Sequence, residues 1–202
     1  MAQTDADRRV IQLATELWDT CAGDIPTDIV RVMRQVGLRA KFGPTPARIR
    51  GVLCYQRPPA AAGIIIVSRK ICVEELRFTI AHEVIHHAID AGVIPQCPAR
   101  LERLCQLGAA HLLMPATRVF ADAIALDDAD DLLHTLRARY LVSTRAMYYQ
   151  LRALGLLRPR ALWPPPTHAL RAAQILHLPG ALPSIWRHAW RDRFPPIDSP
   201  HQ

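Results

Sequence analysis

Apolar positions recur at helical spacing along most of this chain, interrupted by one stretch that reads as strand. Val10, Leu13, Ala14, Leu17 and Trp18 fall on one face of a helix. A turn at Gly23 and Asp24 follows. Ile29, Met33 and Val36 then mark a second helix, with Pro26 near its start and Gly37 at its end. Residues 38–42, 51–55 and 63–67 read as strands, the last two separated by Pro58 and Pro59. The run Ile64, Ile65, Ile66, Val67 is the strongest of these signals, because stiff β-branched side chains suit a pleated surface. Together the three segments predict a small antiparallel sheet.

The helical pattern resumes at residue 73 and holds to 91, with Gly92 as its stop. A further helix is predicted over 99–113, closed by Pro115, which cannot continue it. Two more follow, at 129–140 and 144–154. Ser143 is a good N-cap for the second, and Gly155 ends it. The expected class is α+β, mostly helical, with a small sheet and a helical C-terminal part. Beyond residue 157 the pattern changes. Nine of the 17 prolines and three of the four tryptophans lie in residues 159–202, so residues 1–158 read as one domain and 159–202 as a Pro/Arg/Trp-rich extension.

Composition narrows the class without naming a function. A chain of 202 residues suits a single domain with a sizeable core. The polar N-terminal residues carry no signal-peptide pattern, and the apolar stretch at 60–67 is too short to span a bilayer, so a cytoplasmic location is expected. Five cysteines, an odd number with no CxxC pair, argue for reduced thiols rather than a disulfide framework or zinc ribbon. The formal net charge is +7, but more than half of the excess comes from the segment after Leu157, where six arginines face two aspartates. Charge alone does not make this a nucleic-acid-binding protein.

The chemistry concentrates in His82-Glu83-Val84-Ile85-His86. Histidines four apart on a helix share a face, about one turn apart, where two neutral imidazoles can reach one Zn²⁺. Glu83 projects beside such an ion, placed to take a proton from a water that the ion activates. With nine histidines and five glutamates, chance would produce this spacing in about 1% of shuffled chains, so coincidence is a poor account of it. Leu76, Ile80, Val84 and Ala88 form an apolar stripe that would seat the same helix in a core. His87 points about 100° away from His86 and reads as a neighbour.

A catalytic zinc takes three protein ligands and keeps one position open. Glu102, at the start of the next predicted helix, is the best candidate for the third, against the alternative of a solvated carboxylate favoured by the helix dipole. Gln106, one turn later on the same face, could hold Glu102 or a ligand's second ring nitrogen. Asp90 lies too near His86 on its own helix, His111 would need another register, and Cys105 reads as facing the apolar side.

Residues 77–86, Arg-Phe-Thr-Ile-Ala-His-Glu-Val-Ile-His, resemble the active-site helix of the ImmA/IrrE metallopeptidases. Glu102-Arg-Leu-Cys-Gln-Leu-Gly-Ala-Ala-His-Leu-Leu-Met-Pro115 resembles that family's second signature, and the resemblance extends over about residues 8–158. The chain departs from the pattern at Gln106, where Asn or Asp is usual, and at Gly108, where Phe is usual. The resemblance implies a zincin-like (gluzincin-type) fold, with His82, His86 and Glu102 as zinc ligands and Glu83 as general base. It also implies an endopeptidase that cleaves a helix-turn-helix transcriptional repressor, in stress response or mobile-element control. An extended substrate is expected to add beside residues 63–67. Tyr148 and Tyr149 are open as oxyanion stabilisers, with packing as the stronger alternative.

Two rival readings remain at this point. Arg137, Arg139, Arg145 and Arg152 lie on a helix-turn-helix-like pair that could enter a DNA groove, although solvated outer faces explain them better. A regulator that binds a partner without cutting it is the other, and the intact His82, Glu83 and His86 argue against it.

Overall fold

The computed structural model describes residues 4–21, 23–46, 49–55, 63–92, 100–126 and 132–157. The expected extension at 159–202 lies outside the described residues. Helix α1 (Asp5–Thr20) opens on a capping box in which Thr4 and Asp7 satisfy each other's backbone N–H. Helix α2 (Ile29–Gln35) is capped by Asp28, whose carboxylate accepts from Val30 and Arg31 N–H. Strands β1 (Arg39–Gly43), β2 (Gly51–Tyr55) and β3 (Gly63–Ser68) follow, then helices α3 (Val73–Asp90), α4 (Leu101–Leu113), α5 (Ala116–Ala125), α6 (Leu132–Tyr140) and α7 (Thr144–Ala153).

The sheet corrects two expectations. Its order is β1-β3-β2, with β1 parallel and β2 antiparallel to β3, so it is mixed rather than antiparallel. The chain turns back through β2 onto one side of β3, which leaves the other side of β3 for β1. Strand β3 is therefore central, and both of its edges are paired. It cannot receive a substrate strand. The reason lies in its side chains: Ile65 and Val67 are buried on one face while Ile64 and Ile66 are half-buried on the other. A strand covered on both faces belongs in the interior of a sheet.

Helix α3 joins the sheet to the helical part. Its Ile80, Ala81 and Val84 share a core with Leu38, Ile65 and Val67. A second apolar cluster, Val10, Ile85, Ile89, Leu104 and Cys105, joins α1, α3 and α4. Gly108 permits this close approach. A Cβ there would lie 2.9 Å from both Ile85 Cγ1 and Val10 Cγ2, too near for either to stay in place. Arg103 pairs with Asp7 and ties α4 to α1 at the rim. On the other side the buried Arg77 donates from Nε to the Leu141 carbonyl at 3.2 Å, fixing α3 to the α6–α7 turn.

Pro115 ends α4 and also stands as N-cap of α5, a helix absent from the sequence reading. Ser143 caps α7 as expected, accepting from Ala146 N–H at 3.2 Å, and Gly155 takes the left-handed conformation beyond its end, at φ +72°.

Candidate metal centre

Helix α3 is apolar nearly all round, because it meets the sheet on one side and α1 and α4 on another. Leu76, Ile80, Val84 and Ala88 are buried, and so are Ala81, Ile85 and Ile89. The remaining strip carries His82 and His86, both half-buried. Acidic Glu74 and Glu75 occupy the first turn, where the helix dipole favours them.

The two imidazole rings stand one turn apart, with centroids 4.8 Å from each other and planes at 65°. Glu102, in the first turn of α4, reaches both. Its Oε2 lies 3.4 Å from His82 Nε2 and its Oε1 lies 3.2 Å from His86 Nε2. Donors placed tetrahedrally at the zinc–nitrogen bond length stand about 3.4 Å from one another. Both nitrogen–oxygen spacings come close to that value, each through a different carboxylate oxygen, and the donor set of two nitrogens and a carboxylate suits zinc chemically. Burial lowers the pKa of His82, and the neighbouring His86 lowers it further. The ring is thus held neutral, the form a metal needs.

Glu83 is buried beside this group. Burial raises its pKa, and the Glu102 charge adds to the rise, against opposing effects of His86 and of the Leu53 backbone N–H. The contact with Leu53 follows from strand parity. Ser68 N–H donates to Arg50 C=O across the β2–β3 ladder, so residues 50, 52 and 54 turn their polar groups toward β3. Gly51, Leu53 and Tyr55 turn theirs to the outer edge, and Leu53 N–H meets the Glu83 carboxylate there. Gly51 keeps this edge close to α3. A Cβ on it would fall 2.3 Å from Thr79 Cγ2.

Among the predicted residues, His82, Glu83, His86 and Glu102 are brought together. Gln106 is not. It is exposed and makes no hydrogen bond among the described residues, and it lines a groove of about 570 Å³ with Phe78, Ala110, Arg145 and Tyr149. His111 is partly buried and its pKa is lowered by that burial, but it joins no donor group among the described residues.

Sequence reasoning missed three features here. Cys105, read as facing only the apolar side, packs in the α1–α3–α4 cluster, yet its Sγ lies within 4.8 Å of a ligand nitrogen on both His82 and His86. Burial raises its pKa to about 12, with Glu102, Glu83 and Asp90 adding to the rise. It stands three positions after Glu102 on one helix, a spacing that already signals a shared face. The second is Leu53 N–H, whose direction depends on the β2–β3 register. The third is Tyr55, which donates to Asp90 Oδ2 at 2.9 Å and lies 3.3 Å from His87 Nδ1. It clamps the end of β2 to the last turn of α3. Its partners are 35 and 32 residues away, so no local pattern announces it.

Residues 34–152 match the family model described as the IrrE N-terminal-like domain. The chain belongs to this family. ImmA/IrrE proteins are metallopeptidases, and the paired histidines on α3 form a candidate metal site. No curated protein is significantly similar in sequence to this family member. A solved Mycobacterium tuberculosis transcriptional regulator is similar at 17% identity and a TM-score of 0.49, over 77% of this chain and 48% of that one. The chain thus spans about half the length of that protein. No helix among the described residues is long and apolar enough to cross a membrane.

The arginine-bearing helices differ from the centre. Arg137 is buried, Arg139 Nε lies 3.1 Å from Asp122 Oδ2, and Arg145 lies over the Tyr149 ring at 5.8 Å. Tyr148 is buried against Tyr149, with rings 5.5 Å apart. These side chains serve packing.

Proposed function

We propose that this protein is a zinc-dependent endopeptidase of the cytoplasm that cuts a protein substrate, namely a helix-turn-helix transcriptional repressor in stress response or mobile-element control. The observation that carries the reading is the meeting of two imidazoles from α3 with a carboxylate from α4, at donor spacings of 3.2 and 3.4 Å. The family membership supports the peptidase class, and the repressor rests on the family resemblance.

His82, His86 and Glu102 are the proposed ligands. Zinc held by these residues would supply Lewis acidity toward a water and the scissile carbonyl. Glu83 accepts the proton of the attacking water and returns it to the leaving amine. Its raised pKa suits both transfers, because a base poised nearer the working pH can also act as an acid. Leu53 N–H holds the Glu83 carboxylate in place. With β3 covered, the outer edge of β2 takes the role expected of residues 63–67. An extended peptide paired through Gly51, Tyr55 and the Leu53 carbonyl would carry its backbone past Glu83. The arginines of α6 and α7 give no support to a DNA-binding alternative, because burial, Asp122 or Tyr149 engages three of the four.

The test is zinc content together with cleavage of a repressor encoded beside the protein, for the unaltered chain and for Glu83→Gln. The expected result is one zinc per chain in both and a cleavage rate lower by about 10²–10⁴-fold in the variant. Equal cutting by the two forms would remove Glu83 from the mechanism. Absence of zinc from both would remove the reading.

A further inference from the structure

Cys105 has no part in the chemistry above, yet it is the most deeply buried donor near the imidazole pair. It is fully buried, whereas the Glu102 side chain is 72% exposed. The two residues stand three apart on α4, so one helix brings an oxygen donor from the solvent side and a sulfur donor from the core side toward the same histidines. The Sγ lies within 4.8 Å of a ligand nitrogen on each ring. Among the described cysteines, Cys21 is buried elsewhere against Gln35, and Cys54 and Cys72 are exposed.

We propose that Cys105 is a sulfur donor to the metal held by His82 and His86, in an alternative coordination state, His82–His86–Cys105, in which the thiolate takes the place of Glu102. The proposal depends on the metallopeptidase reading only in requiring a metal at the imidazole pair. Either set of three protein donors leaves a fourth position for water. With two neutral imidazoles, a thiolate offsets half of a divalent ion's charge beside the apolar cluster beneath. Coordination exchanges the S–H bond for a sulfur–metal bond and releases the proton to solvent, with no change of oxidation state. The sulfur-bound state favours thiophilic ions over those that prefer oxygen.

Cobalt(II) reports sulfur ligation directly, through a thiolate-to-cobalt charge-transfer band in the near ultraviolet. Loading the full chain with Co²⁺ should give this band at the strength of one thiolate per ion. Cys105→Ala should bind one Co²⁺ per chain and lose the band, while Cys54→Ser and Cys72→Ser keep it. Cadmium NMR of the unaltered protein gives the same answer without relying on a variant that must fold, because a sulfur ligand moves the resonance strongly downfield. Bound Co²⁺ with no charge-transfer band, or a band that survives Cys105→Ala, overturns the sulfur donor and leaves the peptidase reading intact. Failure of the unaltered chain to bind any of these ions overturns both.

Discussion

The α3–α4 pair and the α6–α7 pair both set charged or titratable side chains on adjoining helices, yet they treat them in opposite ways. On α3 and α4 the polar groups face one another. Two imidazoles, a carboxylate and a thiol crowd a space of a few ångströms, and a second carboxylate stands beside them. On α6 and α7 charges are met separately: Arg139 by Asp122 and Arg145 by the Tyr149 ring. Groups that converge without neutralising one another leave an electrostatic demand that an ion can meet. Groups answered one by one leave none. The difference separates a centre for chemistry from a charged scaffold, although the sequence shows comparable densities of polar residues in both places.

Removing a converging group should therefore cost ligand binding, and the largest effect is expected at Glu102. Glu102→Ala should weaken zinc binding by about 100-fold, measured by competition with a chelator, since it removes the oxygen donor and leaves two imidazoles and the buried thiol. A change of less than about threefold would place the third donor elsewhere and dissolve the contrast between the helix pairs.

Gly108→Ala is the next largest, and it acts through packing alone. The new methyl would press on Ile85 and Val10 at 2.9 Å, so α4 must shift away from α1 and α3. A loss of about 1–3 kcal/mol in chemical denaturation is expected. Weaker zinc binding should accompany it, because Glu102 and Cys105 move with the helix. Unchanged metal affinity in a destabilised protein would show that the donors tolerate movement of α4.

The pH dependence of kcat/KM sharpens the role of Glu83. Its folded pKa lies above the ordinary glutamate value, raised first by burial. The base form is present above that pKa and is lost as pH falls through it. Activity should drop by about tenfold per pH unit on the acid side, once the limb is reached. Zinc content at each pH separates this loss from protonation of the histidines. An acid limb at or below the usual range of exposed carboxylates would mean that the charge of the bound ion outweighs the desolvation of Glu83.

Much of the centre was legible because its determinants are local. The four-residue interval between His82 and His86 sets their shared face by helix geometry, and Glu102 opens the next helix. What was not legible depends on contacts distant in sequence. The position of β3 between its neighbours follows from pairing with residues on both sides. The unbroken apolar run from Ile64 to Val67 carried that message, however, since an edge strand with one wet face would alternate. Helix α5 was hidden because Pro115 was read only as a stop, and because the buried Asp122 interrupts the apolar face of the helix. Cys105 was read as facing the apolar side and does pack there, but its closeness to both imidazoles depends on how α4 lies against α3.

The smallest effect is expected in the scaffold pair, and it tests whether the two regions are separate. Tyr140 donates to Asp122 Oδ2 at 2.7 Å, and the same oxygen lies 3.1 Å from Arg139 Nε. Both Tyr140 and Asp122 are buried, so this is a satisfied polar contact between α5 and α6. Tyr140→Phe removes the hydroxyl without changing the ring's packing and leaves Asp122 its arginine. The cost should be about 1 kcal/mol in chemical denaturation, toward the lower end for a bond to a charged acceptor, because the carboxylate keeps its other partner. Zinc affinity should not change. If it fell together with stability, the α5–α6 contact would be coupled to α3, and the buried link from Arg77 to the Leu141 carbonyl would be the route, because it joins the residue after Tyr140 to the helix that carries both histidines.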